Sequence, residues 1–129
     1  VIPDSEADVK KVKRIVLCSG KVYYDLLEQV RAEKQDNTAL IRIEQLYPFP
    51  TSELTAQLTR YPKVKDIVWC QEEPKNQGAW YCTQHHLLSC VAKSQTVHYV
   101  GRPASAAPAV GSPLVHAQEQ QMLVKEALN

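Results

Sequence analysis

No apolar run in this chain approaches the ~20 residues that a membrane-crossing helix needs, and the opening Val1-Ile2-Pro3-Asp4 lacks the basic and apolar regions of a secretory signal. Charge of one sign is also missing. A net charge of +1 over 129 residues gives no long-range pull toward nucleic acid or an anionic membrane. The four cysteines, at 18, 70, 82 and 90, form no Cys-x-x-Cys pair, so neither a zinc ribbon nor a thioredoxin-like motif is present. Cys18 and Cys70 sit in strand-like apolar runs, where a reduced thiol serves as a small core hydrophobe. Reduced structural thiols imply a reducing compartment: the cytoplasm of a bacterium, or the mitochondrial matrix of a eukaryote. No internal repeat is visible. The absence of an initial methionine suggests a fragment or a processed product.

What remains is an ordinary globular composition, 44% apolar and 22% charged, in a length that suits one domain. Residues 1–12 are rich in Asp, Ser, Glu and Lys and read as a linker or frayed terminus, leaving 13–129 as the domain. Arg14-Ile-Val-Leu-Cys18 is a strand buried on both faces, closed by Ser19-Gly20. Val22 to Lys34 is helical, with Val22, Leu26, Leu27 and Val30 on one stripe. Thr38 to Ile43 is a second strand, ended by Pro48 and Pro50. Thr51 or Ser52 caps a further helix in which Leu54, Leu58 and Tyr61 recur until Pro62. Val64 to Cys70 is the third strand, Gly78 to Lys93 a helix with Trp80, Gln84, Leu87, Leu88 and Val91 on one face, and Thr96 to Val100 a short fourth strand. Gly101 to Gly111 is a loop of small residues with two prolines. Ser112 then caps a last helix with Pro113 in its first turn. Alternating strands and helices predict an α/β fold of three layers, a mostly parallel sheet with helices on both faces.

The segment Trp69-Cys-Gln-Glu-Glu-Pro-Lys-Asn-Gln-Gly-Ala-Trp-Tyr81 holds the chemistry. A strand ending in carboxylates and amides before a helix is where open α/β sheets place ligands and partners. Glu72 and Glu73 point to opposite faces if the strand continues, which argues against a shared acid/base site and for one interface carboxylate and one solvated one. Glu73, at the start of the loop, is the better candidate to pair with a cation. Asn76 suits a helix cap and Gly78 a close turn, whereas capping leaves Gln77 unexplained. Trp80 and Tyr81 pack rather than stack on a ligand. His85 and His86 face about 100° apart on a helix and cannot chelate one metal, and His98 and His116 stand alone. No nucleophile, histidine and orienting acid occur in a recognisable spacing. Ser19-Gly20-Lys21 lacks the leading glycines of a phosphate loop and is first a strand-to-helix turn. Arg102 suits either close approach by another surface or a local carboxylate pair.

Four segments together carry a resemblance: Leu17-Cys-Ser-Gly-Lys-Val-Tyr-Tyr-Asp-Leu26, Arg42-Ile-Glu-Gln-Leu-Tyr-Pro-Phe-Pro50, the Trp69–Tyr81 segment, and Gly101-Arg-Pro-Ala-Ser-Ala-Ala-Pro-Ala-Val-Gly111. With Val115-His116 and Gln118-Glu-Gln-Gln121, they closely resemble the carboxy-terminal end of the thiamine-dependent decarboxylating component of 2-oxoglutarate dehydrogenase, over residues 13–129. Tyr47 and Trp80 favour the bacterial type. The resemblance implies a fold like the transketolase carboxy-terminal domain. It also implies a parent homodimer that uses thiamine diphosphate and magnesium and serves the tricarboxylic acid cycle. That parent would decarboxylate 2-oxoglutarate and succinylate the lipoyl arm of the dihydrolipoyl succinyltransferase component. This chain lacks the family's Gly-Asp-Gly and distant Asn-Asn thiamine motif, and its substrate-binding histidine cluster. No catalytic, cofactor or metal residue is therefore expected in it. The expected role is dimerisation and active-site access, with Glu73, Asn76, Gln77 and Arg102 contacting the missing domains or the dimer mate. An alternative is a regulatory module for an adenine nucleotide or coenzyme A ester. Gln45 matches the family there, but Thr51-Ser52-Glu53 stands where some relatives carry arginines.

Overall fold

Five-residue apolar runs alternate with amphipathic ones, and in a computed structural model they become β1 (Arg14–Cys18), α1 (Val22–Ala32), β2 (Thr38–Arg42), α2 (Thr51–Thr59), β3 (Asp66–Pro74), α3 (Trp80–Cys90), β4 (Thr96–Arg102) and α4 (Pro113–Leu128). The structure describes residues 1–106 and 111–129; residues 107–110, in the middle of the expected small-residue loop, lie outside the described residues.

The strands form one sheet in the order β2-β1-β3-β4, and every pairing is parallel. Periodicity alone leaves the direction of the edge strand open; β4 in fact runs with the others. Val16 sits in register between Leu40 and Val68. The connection from β1 to β2 runs one way along the sheet, and those from β2 to β3 and β3 to β4 run the other. Right-handed crossovers therefore place α1 on one face and α2 and α3 on the opposite one. Side chains follow this division. Leu54, Leu58, Leu87 and Cys90 pack on Ile15, Leu17, Ile41, Ile67 and Trp69. Val22, Leu26, Leu123 and Val124 pack on Val16, Cys18, Leu40, Val68 and Cys70. The reversal of strand order falls between β1 and β3, which opens a crevice outside their carboxyl ends.

Several boundaries differ from the expected ones for local reasons. Residues 1–12 lie against the sheet rather than fraying. Ile2 bridges Arg42, the Asp4 carboxylate accepts from the Leu40 N–H at 2.8 Å and from Glu6 and Ala7, and Val12 is buried. Helix α2 starts at Thr51 itself, with Pro50 before it, so neither Thr51 nor Ser52 acts as its cap. Helix α3 begins only at Trp80 and buries Thr83, Leu87 and Cys90, whereas Leu88 is 60% exposed. Ser112 does cap α4, its hydroxyl accepting from the Val115 N–H, with Pro113 in the first turn.

All four cysteines are free thiols; Cys18, Cys70 and Cys90 are buried and Cys82 is exposed. Burial pushes the Cys18 thiol up from 9.0 to about 12, with Glu44 adding to the effect, and burial also raises Cys70. A thiol held protonated at neutral pH is a poor nucleophile and a poor partner for disulfide exchange. Iodoacetamide at pH 8 should therefore modify Cys82 alone in the folded protein, as read by intact-mass spectrometry; rapid modification of Cys18 or Cys70 would contradict their placement. Above the usual thiol value of 9.0 the unfolded chain sheds protons that the folded chain keeps. The contribution of these thiols to stability is complete below that pH and is lost progressively as pH rises from it through the folded value, about 12 for Cys18. The urea midpoint should decline toward pH 10.5, less steeply in Cys18→Ala/Cys70→Ala.

Candidate functional site

Strand β3 does not stop at Cys70. It runs through both glutamates and pairs with β4 as far as Pro74 opposite Arg102, across an irregularity between Cys70 and Pro74. A bulge leaves ladder groups without partners, and here the Gln71 side chain supplies them. Gln71 is 3% exposed. Its Oε1 accepts from the Trp69 indole N–H at 3.0 Å and the Trp80 backbone N–H at 3.1 Å. Its Nε2 donates to the Glu73 and Pro74 carbonyls at 3.2 and 3.0 Å. The full capacity of the amide is used. The first N–H of α3 is thus satisfied by Gln71, and the expected cap, Asn76, caps nothing. Gly78 lies on the same amide, where a Cβ would come within 2.6 Å of Gln71 Nε2. A Cβ at Gly101 would meet the Tyr99 hydroxyl at 2.5 Å and the Gln71 carbonyl at 2.7 Å. Burial pushes the Tyr99 hydroxyl up to about 12, with the nearby Gln71 amide acting in the lowering direction. The hydroxyl donates to the Arg102 carbonyl at 2.7 Å.

Asn76 and Gln77 instead hold the loop that follows β4. The Asn76 amide exchanges two 3.0 Å bonds with the Ser105 backbone, and Gln77 Nε2 donates to the Ser105 carbonyl at 2.7 Å. Trp80 packs on the core and against Tyr99, while Tyr81 is 52% exposed. His86 stacks on Phe49 beside His85. Among the described residues, no three His, Cys, Asp or Glu side chains gather to hold a metal.

Of the two carboxylates, Glu72 takes the cation, not Glu73 as expected. Lys21, from the turn after β1, donates to Glu72 Oε1 at 2.5 Å and so spans the crevice between β1 and β3. The Glu72 carboxylate holds the Lys21 ammonium above its usual range. Glu73 stands exposed, and its carboxylate has no hydrogen bond or ion pair among the described residues. The turn that carries Lys21 needs Gly20, whose φ is 82°, and the Gly20 N–H points at the Glu44 carboxylate, 3.3 Å from both oxygens.

Arg102 is 7% exposed and spends its guanidinium inside the chain. It donates to the Glu72 carbonyl, to Glu119 Oε2 at 3.0 Å, to the His116 carbonyl at 3.2 Å and to Gln120 Oε1 at 3.0 Å. Gln120 in turn donates to Asp25 on α1 at 2.8 Å. Arg102 is therefore a tie between β3, β4 and α4, and as a direct contact to another domain it is not available. Gln45 is exposed beyond β2, its amide turned back to the Pro48 carbonyl at 3.3 Å. Neither Gln71 nor Lys21 was expected as a site residue. A glutamine between the apolar run Ile67–Cys70 and two glutamates is a weak signal for the first, and the second gives only a strand-to-helix turn.

Residues 1–128 match the family model described as 2-oxoglutarate dehydrogenase C-terminal. The chain is similar to the 2-oxoglutarate dehydrogenase E1 component of Haemophilus influenzae, 57% identical over 124 residues that cover 96% of this chain and 13% of that protein. It is 55% identical to that of Coxiella burnetii over 131 residues, covering 99% of this chain and 14% of the relative. For Azotobacter vinelandii the identity is 53% over 131 residues, covering 98% and 14%. The chain thus spans 13–14% of the length of these relatives.

Replacing Gln71 by leucine strands two donors and leaves two carbonyls short, so Gln71→Leu should cost about 2–5 kcal/mol in urea unfolding. Gly78→Ala pushes a methyl into the same amide and should cost about 1–3 kcal/mol. Asn76→Ala, at an exposed site, should cost no more than about 1 kcal/mol. Equal effects for all three would mean that Gln71 does not organise the loop.

Proposed function

Starting from the fact that the chain belongs to the 2-oxoglutarate dehydrogenase C-terminal family, we propose that it is the carboxy-terminal domain of a succinyl-transferring 2-oxoglutarate dehydrogenase. The parent enzyme is an oxidoreductase of the tricarboxylic acid cycle that decarboxylates 2-oxoglutarate and succinylates the lipoyl arm of the dihydrolipoyl succinyltransferase component. Its relatives named above are bacterial, and the cytoplasm is the compartment that follows. No helix among the described residues is long and apolar enough to cross a membrane.

The domain's task is to present a rigid contact surface to the rest of the enzyme and its dimer mate, and so to shape access to the active site. One observation carries this reading: the loop at the end of β3 is fastened from beneath by Gln71 and sideways by Asn76, while Glu73 on its rim is exposed and unpaired. Ordering a loop costs conformational entropy, and a rigid loop that ends in an unspent carboxylate is preorganised for a cation on another surface.

Thiamine diphosphate and magnesium would supply the electron sink of the parent enzyme. The residues of this chain do not fit them. No ligand cluster for the metal gathers among the described residues. The buried Arg102 guanidinium is bonded to Glu119 and is not free to take a diphosphate, and the Lys21 ammonium faces Glu72. A regulatory coenzyme site at Gln45 gains no support: that amide is occupied by Pro48 and no cation stands in Thr51-Ser52-Glu53.

In the full-length enzyme, Glu73→Lys should lower succinyl transfer about tenfold or weaken the dimer correspondingly, as measured by steady-state kinetics and sedimentation velocity. The thermal midpoint of the isolated 129-residue chain should not change, because the Glu73 side chain has no hydrogen bond or ion pair among the described residues. The 129-residue chain alone should release no carbon dioxide from 2-oxoglutarate with added thiamine diphosphate and magnesium. Unchanged kinetics and dimerisation in Glu73→Lys would refute the contact role, and turnover by the isolated chain would refute its non-catalytic status.

A further inference from the structure

The amino end of the sheet carries a second feature, a groove of about 900 Å³ between the segment leading into β1 and the one leading into β3. Its cations are Lys10, Lys13, Arg60, Lys63 and Lys65; all five are exposed, and none forms an ion pair among the described residues. Asp66 is the single carboxylate in the lining, and it lies 3.6 Å from His98. The floor is apolar, with Val12 at 5% exposure, Val64 at 2% and Tyr61 at 2%. The Tyr61 hydroxyl is buried, with no hydrogen-bond partner among the described residues.

We propose that this groove is a docking site for an acidic polypeptide segment of a partner protein, one that lays an apolar side chain on Val12 and Val64 between carboxylates matched to the lysines. Charge complementarity selects an anionic occupant: five cations stand against one carboxylate, in a chain whose net charge is only +1. The form of the site selects a polypeptide over a small anion. Its cations come from two separate stretches, 10–13 and 60–65, each on its own solvated stem, and none is buried. A compact phosphate needs convergent, desolvated donors. A chain bearing several carboxylates can engage spread lysines one at a time.

Ile2 pairs with Arg42 at the carboxyl end of β2, the end of the sheet opposite the groove. The contacts proposed above for Glu73 lie at that same carboxyl end, and this step of the inference rests on that reading.

The test uses the full-length enzyme and a fluorescent peptide of repeated Glu-Glu-Leu triplets, read by anisotropy at low salt. Saturable binding is expected, weakened by added salt. The triple charge reversal Lys10→Glu/Lys13→Glu/Lys65→Glu should weaken it at least about tenfold with succinyl transfer unchanged. Lys75→Glu, at the other end of the sheet, should not affect it. Absence of saturable binding, or binding untouched by the charge reversal, overturns the proposal. So does displacement of the peptide by tripolyphosphate, or tighter binding of single-stranded RNA, at equal charge. Loss of peptide binding with succinyl transfer intact separates this inference from the role of Glu73.

Discussion

A single side-chain amide, that of Gln71, sets the geometry on which the carboxyl end of this domain depends. β3 must pass from a regular parallel ladder into a loop and then, within a few residues, into α3. Regular backbone pairing fails between Cys70 and Pro74, and a buried strand with unmet donors and acceptors would be costly. Gln71 meets that need in four directions at once, reaching the indole of Trp69, the start of α3 and two carbonyls of its own loop. An isosteric apolar residue would fill the space and satisfy none of them. Gly78 and Gly101 follow from this, because the backbone must close directly onto the amide and its carbonyl.

Around that amide the crevice between β1 and β3 is closed by the protein's own charges. In an open parallel sheet this is the ordinary place for a ligand. Here Lys21 reaches across it to Glu72, and Arg102 lies beneath, bonded to the Glu72 carbonyl, Glu119 and Gln120. A guanidinium that is 7% exposed is tolerable only because its donors are matched, and removing any one partner would leave a charge poorly solvated. Such a network gives little net stability, yet it holds the carboxyl ends of β3 and β4 and the face of α4 in one arrangement. The carboxyl end of the crevice is thus bridged by the chain's own ion pairs.

The same physics explains what was legible in the amino-acid sequence. Strands β1 and β2 are runs buried on both faces, and such runs advertise themselves through apolar continuity alone; Ser112-Pro113 likewise carries its whole signal locally. The failures share a different origin. Asn76 has the composition of a cap, but its partner is Ser105, 29 residues away. Glu72 and Glu73 are chemically identical, and only the extension of β3 to Pro74 aims one of them at Lys21, 51 residues back. Residues 1–12 have the polarity of a linker, yet Asp4 uses that polarity to bond the edge of β2 at Leu40. Each is a nonlocal pairing between polar groups, and polar pairing has no periodicity. The family resemblance, by contrast, was legible because it needs only residue identity in order, and the match over residues 1–128 extends it into the segment read as a linker.

Net charge has a similar blind spot. A total of +1 correctly bounds the far field of the chain, but the far field is a sum, and here the terms are segregated. At the carboxyl end Lys21 and Arg102 are paired with Glu72 and Glu119, and Glu73 and Lys75 stand on the loop with no ion pair among the described residues. At the amino end Lys10, Lys13, Arg60, Lys63 and Lys65 remain unspent around an apolar floor. Over roughly a Debye length of ~8 Å in physiological salt, an approaching surface responds to the nearer group and not to the sum. The parallel arrangement of all four strands keeps those ends apart, so the cations of the amino end lie at the opposite end of the sheet from Glu73.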